Sequence, residues 1–189
     1  AALGEPVQDT VHNLTDSEHF NGWGNQLENE PGIVISYERK WRGLVEASPF
    51  GAGLDVSPHI AANIGNINTD ASVGLTMRLG YDLPADYGPP RIRPSLPGSD
   101  FFIPTQDLGG YLFAGVEGRA VGRNIFLDGN TFEDSPSVDK EFFVGSLQFG
   151  AALTWDEARL SYTHVMMTRE FKTQDEAPQF GVVTLSYRF

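Results

Sequence analysis

Residues 71–82, ASVGLTMRLGYD, alternate without a slip. Ala71, Val73, Leu75, Met77, Leu79 and Tyr81 share one parity, and Ser72, Gly74, Thr76, Arg78, Gly80 and Asp82 the other. Successive side chains leave a strand on opposite sides, so a period of two predicts a β-strand with one apolar and one polar face. Upstream, the same period runs through 54–64, with Leu54, Val56, Ile60, Ala62 and Ile64 against Asp55, Ser57, His59 and Asn63. It also runs through 33–46, with Ile33, Ile35, Tyr37, Trp41 and Val45 against Ser36, Glu38, Lys40, Arg42 and Glu46. Downstream it returns at 110–123, 140–153, 158–171 and 179–189, which makes seven predicted strands. Between them, Leu83–Gly109 carries six of the twelve prolines and reads as a long irregular connection. Asn124–Asp139 reads as a polar loop and Trp155-Asp156-Glu157 as a tight turn.

The first residues follow a different period. Val7, Val11 and Leu14 fall at i, i+4 and i+7, and Pro6 suits a first helical turn, so a short amphipathic helix is predicted over 6–15. Asp16–Gly32 is polar and glycine-rich and reads as loop. The 189 residues suit a single domain. No apolar run approaches the ~18 residues of a membrane helix. The absence of cysteine excludes disulfides and thiolate chemistry. A net charge of -12 has the wrong sign for nucleic acid, and no repeat of fixed period suggests a solenoid.

Periodicity alone does not say which face is buried. The alternating stretches outrun the ~5–6 residues of ordinary strands and reach the ~9–11 of tilted membrane strands. Their polar faces carry full charges, as at Glu38, Lys40 and Arg42, or Glu117, Arg119 and Arg123. Aromatics such as Tyr37, Trp41, Tyr81, Phe143 and Trp155 gather near strand ends, as interface girdles do. Val183, Leu185, Tyr187 and Phe189 alternate up to a terminal phenylalanine, like the last strand of bacterial outer-membrane proteins. The expected fold class is therefore all-β: an antiparallel transmembrane β-barrel with one short extracellular helix. If Phe189 ends in the periplasm, seven strands place the 6–15 helix outside. Single-chain barrels have an even strand count, so an odd number of strands is expected before Ala1. The absence of a signal peptide agrees with that expectation.

Few residues carry chemistry. His59 and His164 lie within strands, where packing is the ordinary role of histidine. His12 sits on the helix off the apolar stripe, with Gln8 one turn before it and Glu18 six residues after. A helix-borne base beside a carboxylate suits general-base or metal-assisted hydrolysis. The plainer alternatives are an exposed helix residue for His12 and the end of a Thr15-x-x-Glu18 capping box for Glu18. Asp128-Gly129-Asn130-Thr131 begins like a calcium loop, but Phe132 and Glu133 break the spacing, which leaves a polar turn.

Several stretches together resemble the outer-membrane lipid A 3-O-deacylases. They are residues 7–12 (VQDTVH), 22–32 (GWGNQLENEPG), 87–91 (YGPPR), 126–132 (FLDGNTF) and 163–165 (THV). The resemblance runs through essentially the whole chain and covers the C-terminal part of the family's barrel. It implies a twelve-stranded barrel, of which about seven strands would lie here, as one outer-membrane domain over 1–189. It implies calcium-dependent hydrolysis of the 3-linked acyl ester of lipid A or lipopolysaccharide, by a monomer in the bacterial outer membrane. His12 would be the catalytic base and Glu18 would serve the Ca2+ site. The family's Asn-Asp pair on its first strand, and a hydroxyl residue on another early strand, have no counterpart in these residues. Two other classes stay open from the residues themselves: a non-catalytic outer-membrane barrel, structural or a pore, and a soluble barrel with an apolar ligand.

Overall fold

The structure is a computed structural model that describes residues 7, 10, 12–14, 26–84, 86, 88 and 105–188. Eight strands follow in chain order: β1 (Val34–Lys40), β2 (Val45–Ala47), β3 (Gly53–Gly65), β4 (Asn68–Tyr81), β5 (Thr105–Asn124), β6 (Phe143–Asp156), β7 (Ala158–Met167) and β8 (Gln179–Tyr187). All pair antiparallel in one sheet, in the order β1-β3-β4-β5-β6-β7-β8, with β2 also on β3. Val7, Thr10, His12, Asn13 and Leu14 are helical, within the predicted 6–15 segment.

Two parts of the fold-class expectation need correction. Among the described residues the sheet is open: β1 and β8 are its edges, and no pairing joins them into a closed transmembrane barrel. Alternation tells which face a residue takes. Closure needs a contact between two edge strands, which no local pattern encodes. Among the described residues the strand count is eight, because the predicted 33–46 strand breaks in the middle. Its partner there is Pro58 of β3. Trp41 donates its N–H to the Pro58 carbonyl at 3.0 Å, but proline has no N–H to return. The chain leaves the ladder, turns at Gly43 with φ 54°, and rejoins β3 at Val45. The Gly43 N–H, displaced from the ladder, donates to Ser57 Oγ at 3.0 Å.

The other connections are short where the sequence predicts turns. β6 and β7 are joined by Asp156 and Glu157, with Asp156 at φ 46°, a left-handed position that aspartate tolerates. A helix the sequence reading omits, Ile125–Asp128, follows β5 directly, its first turn capped by Asn124 Oδ1 accepting the Phe126 N–H.

The burial of the two faces is inverted relative to an ordinary soluble sheet. In β3, Asp55, Ser57, His59 and Asn63 are buried, while Ile60 and Ile64 are exposed. In β4, Asp70, Ser72, Thr76 and Arg78 are buried, and Val73 is 63% exposed. The same holds for Arg159, Ser161 and Thr163 against Leu160 and Tyr162 in β7. The sheet therefore wraps around its polar face and leaves its apolar face bare. A small apolar cluster of Tyr111, Phe113 and Ala152, with Leu83 against it, fills part of the polar side.

Candidate functional site

On the N-terminal helix the burial runs against the expected stripe. Val7 and Leu14, two residues of the predicted apolar stripe, are 61% and 81% exposed, whereas His12 is half-buried; Val11, the third, lies outside the described residues. Glu18, its predicted companion, and Gln8 lie outside the described residues.

The chain between this helix and β1 is tied to the sheet at a polar node centred on Glu30. The Glu30 carboxylate accepts the Thr131 N–H at 2.8 Å, the Thr131 hydroxyl at 3.0 Å, the Asn130 amide at 3.1 Å and the Asn66 amide at 3.3 Å. Asn130 also exchanges two 2.9 Å hydrogen bonds with the backbone of Glu28, as a strand partner would. Asn66 receives the Ile33 N–H at 2.7 Å and donates to the Pro31 carbonyl at 2.8 Å. Beneath them Arg123 donates to the carbonyls of Asn66 and Gly129 and to the Thr131 hydroxyl, at 2.7–2.9 Å. Partial burial pushes the Glu30 pKa up, but the donors on Thr131, Asn130 and Phe132 outweigh it and hold the carboxyl below its usual range. Residues 28–30 and 130–132, from two stretches read separately in the sequence, meet in this node.

Asp128, the first residue of the calcium-like tetrapeptide, is spent on structure: it accepts the Asn124 N–H at 2.7 Å and pairs with Lys140. Asn130 and Thr131 are turned to Glu30. This segment is therefore the polar turn that the failed spacing predicts. Among the described residues no three histidine or acidic side chains converge as a metal site.

The polar face carries two further constellations. In the middle, His59 Nε2 lies 2.8 Å from Glu117 Oε2. Both residues are paired to Gly74, on either side of it. The imidazole crosses the space a side chain would fill: a Cβ on Gly74 would meet His59 Cε1 at 2.6 Å. At the opposite end of the strands from the Glu30 node, Asp86, from the connection after β4, lies over the polar face. Its carboxylate accepts Arg78 from β4 at 2.7 Å and Arg159 from β7 at 3.4 Å, with all three side chains buried. Arg78 also binds Asp55 of β3 and the carbonyls of Pro84 and Asp86, and Arg159 reaches the Gly88 carbonyl at 3.2 Å. β4 and β7 are three strands apart, about 14 Å in a flat sheet, so at that end of the strands this strap crosses the polar face from β4 to β7. Parity places Asp55 and Arg78 on that face from sequence, but Asp86 and Arg159 carry no local signal. His164 sits on the apolar face, its ring 5.2 Å from that of Phe149, consistent with packing.

The family model described as outer membrane protein LpxR matches residues 1–189. Among solved structures the chain is similar to LpxR from Salmonella typhimurium, with a TM-score of 0.81 and 23% identity. The match covers 98% of this chain and 62% of that one, and at that identity the likeness is one of fold. No curated protein matches the chain.

Proposed function

The chain belongs to the LpxR family of outer membrane proteins, the lipid A deacylases, and from that membership we propose that it acts in calcium-dependent hydrolysis of the 3-linked acyl ester of lipid A. The observation that carries the reading is the placement of His12: a histidine half-buried on a helix whose valine and leucine stand exposed. With Val7 and Leu14 exposed and His12 half-buried, the ring that can handle a proton is the most covered of the three.

In this reading the neutral His12 imidazole takes the proton of a water molecule as that water attacks the ester carbonyl. The proton then passes to the departing sugar oxygen, leaving a free hydroxyl at the 3-position and a 3-hydroxyacyl carboxylate. General-base catalysis of this kind is worth about 10²–10⁴-fold in rate. Calcium takes oxygen ligands, so the chain's own contribution to such a site would be the Glu18 carboxylate rather than the imidazole. A bound cation of this type polarises the ester carbonyl. The bare apolar face of the sheet suits contact with lipid in the outer membrane, and the -12 charge gives no attraction to phosphates of its own.

A polar concave face by itself would also suit a pore. The Asp86 strap speaks against that reading, because it lies across the face and is bound at both sides by buried arginines. The test is mass spectrometry of lipid A incubated with the full-length protein. The expected result is loss of one 3-hydroxyacyl group in calcium and none in chelator. Intact lipid A after long incubation with calcium would overturn the proposal.

A further inference from the structure

We propose that the apolar face of the sheet carries a seat for a zwitterionic phospholipid, its chains in a trough over β5 and β6 and its headgroup between Arg169 and Glu141. The proposal rests on that bare face meeting lipid and is independent of the role given to His12.

The trough is a gap among the apolar side chains. Residues paired across a sheet point to the same side, so the register sets them in rows. One row, Leu75, Val116, Leu147 and Met166, is large throughout, and all four side chains are exposed. The next row toward the start of β4 is Val73, Gly118 and Gly145, and the one after it is Ala71, Ala120 and Phe143. Between the large row and the Phe143 ring the floor is glycine and alanine. A Cβ on Gly118 would meet nothing within 4 Å, and one on Gly145 would meet only Thr168 Cγ2, at 3.5 Å. The result is an open cavity of about 750 Å³. That lies in the ~300–1,000 Å³ range of ligand sites.

The free charges lie at one end of it. Glu141 stands two residues before β6 and Arg169 two after β7, and the Glu141 N–H donates to the Glu170 carbonyl at 2.8 Å. Both residues line the cavity. Glu170 is taken by Arg119 at 3.2 Å, and among the described residues neither Arg169 nor Glu141 forms an ion pair, with each other or with a third residue. The edge-on Phe142–Phe143 pair, 4.8 Å between rings, marks the same level, as aromatic girdles do at a bilayer interface. An apolar floor with one unpaired cation and one unpaired anion at its strand-end rim matches a molecule with hydrocarbon chains and a headgroup of both signs. The guanidinium fork suits the phosphate, and the carboxylate suits the ammonium. An anionic lipid would gain the arginine but meet the glutamate, and a purely apolar ligand would use neither.

The test offers phosphatidylethanolamine to the full-length protein in detergent, beside equal amounts of phosphatidylglycerol and of lipid A, and reads retained lipid by native mass spectrometry. Preferential retention of phosphatidylethanolamine is expected. Gly118→Leu grows into open space at a backbone position that any residue adopts. By displacing about two methylenes from the trough it should cut retention about 10-fold, with the unfolding midpoint unmoved. Arg169→Ala should cut it about 5-fold, the usual worth of one cation near a headgroup. Glu141→Ala should erase the preference over phosphatidylglycerol. Both of these positions lie outside the strands, so they carry the test should Gly118→Leu fail to fold. Equal or better retention of phosphatidylglycerol or lipid A by the parent would overturn the proposal. So would retention unchanged by Gly118→Leu in the folded protein, which would place the lipid elsewhere on the face.

Discussion

The two ends of this sheet are both organised by a carboxylate from a connecting segment, and they differ in how that carboxylate is satisfied. Asp86 is fully buried and is held by two buried arginines from strands three apart. Glu30 sits at the surface and is held by neutral amides, a hydroxyl and backbone N–H groups. A buried charge is costly to leave unpaired, whereas an exposed one regains water. The first arrangement therefore bears on whether the sheet folds, and the second on how the chain entering β1 is tied to the neighbouring connections.

The largest effect should come from breaking the buried end. Arg159→Ala would leave Asp86 with one arginine and an uncompensated buried charge, and should cost about 3–5 kcal/mol in unfolding free energy. Urea unfolding in detergent reads it, and a loss under ~1 kcal/mol would erase the contrast between the two ends. Next comes the middle of the face. Gly74→Ala puts a Cβ 2.4 Å from the Val116 carbonyl oxygen and 2.6 Å from the His59 ring. Overpacking of this kind costs about 1–3 kcal/mol, and it should part His59 from Glu117. Equal stability of Gly74→Ala and the parent would show that the imidazole does not occupy that space. At the surface end, Asn66→Ala removes hydrogen bonds to Glu30, Ile33 and Pro31 and should cost only about 1 kcal/mol, read in the same unfolding assay.

The smallest effect is the pH dependence of the surface end. The Glu30 pKa is lowered in the folded chain from its usual value near 4.5. A depressed carboxyl contributes stability that is present above the unfolded value and is lost as pH falls through the folded one. The protection of the Thr131 amide, taken against its intrinsic exchange rate at each pH, should therefore be highest at neutral pH and fall as pH drops below 4.5, and Glu30→Gln should remove that fall. An identical acid profile in the two proteins would show that the node does not depend on the charge.

The same contrast explains what could be read from sequence. Each strand from β3 to β8 lies where the alternation predicts one, and parity correctly groups Asp55, Ser57, His59 and Asn63 on one face. The split of the first strand was in principle legible at Pro58, but only once its partner was known to be Trp41. The four-residue helix after Asn124 is too short for a 3.6-residue period to declare itself. Both carboxylate centres depend on distant pairings: Asp86 meets Arg159 73 positions on, and Glu30 meets Thr131 101 positions on. Closure of the sheet is a pairing of the same long-range kind, and the open edges at β1 and β8 are where the sequence expectation failed. For the candidate site, helical phase set His12 apart from the apolar stripe. That Val7 and Leu14 would be exposed and His12 half-buried could not be read from phase alone, because phase separates faces without saying which one is covered.

The most direct test of the account is the turnover of lipid A by the full-length protein carrying His12→Ala, measured beside its unfolding midpoint. A general base at His12 predicts a fall in kcat of about 10²–10⁴-fold with the midpoint unmoved. Turnover within 2-fold of the parent, in a variant that folds, would contradict it.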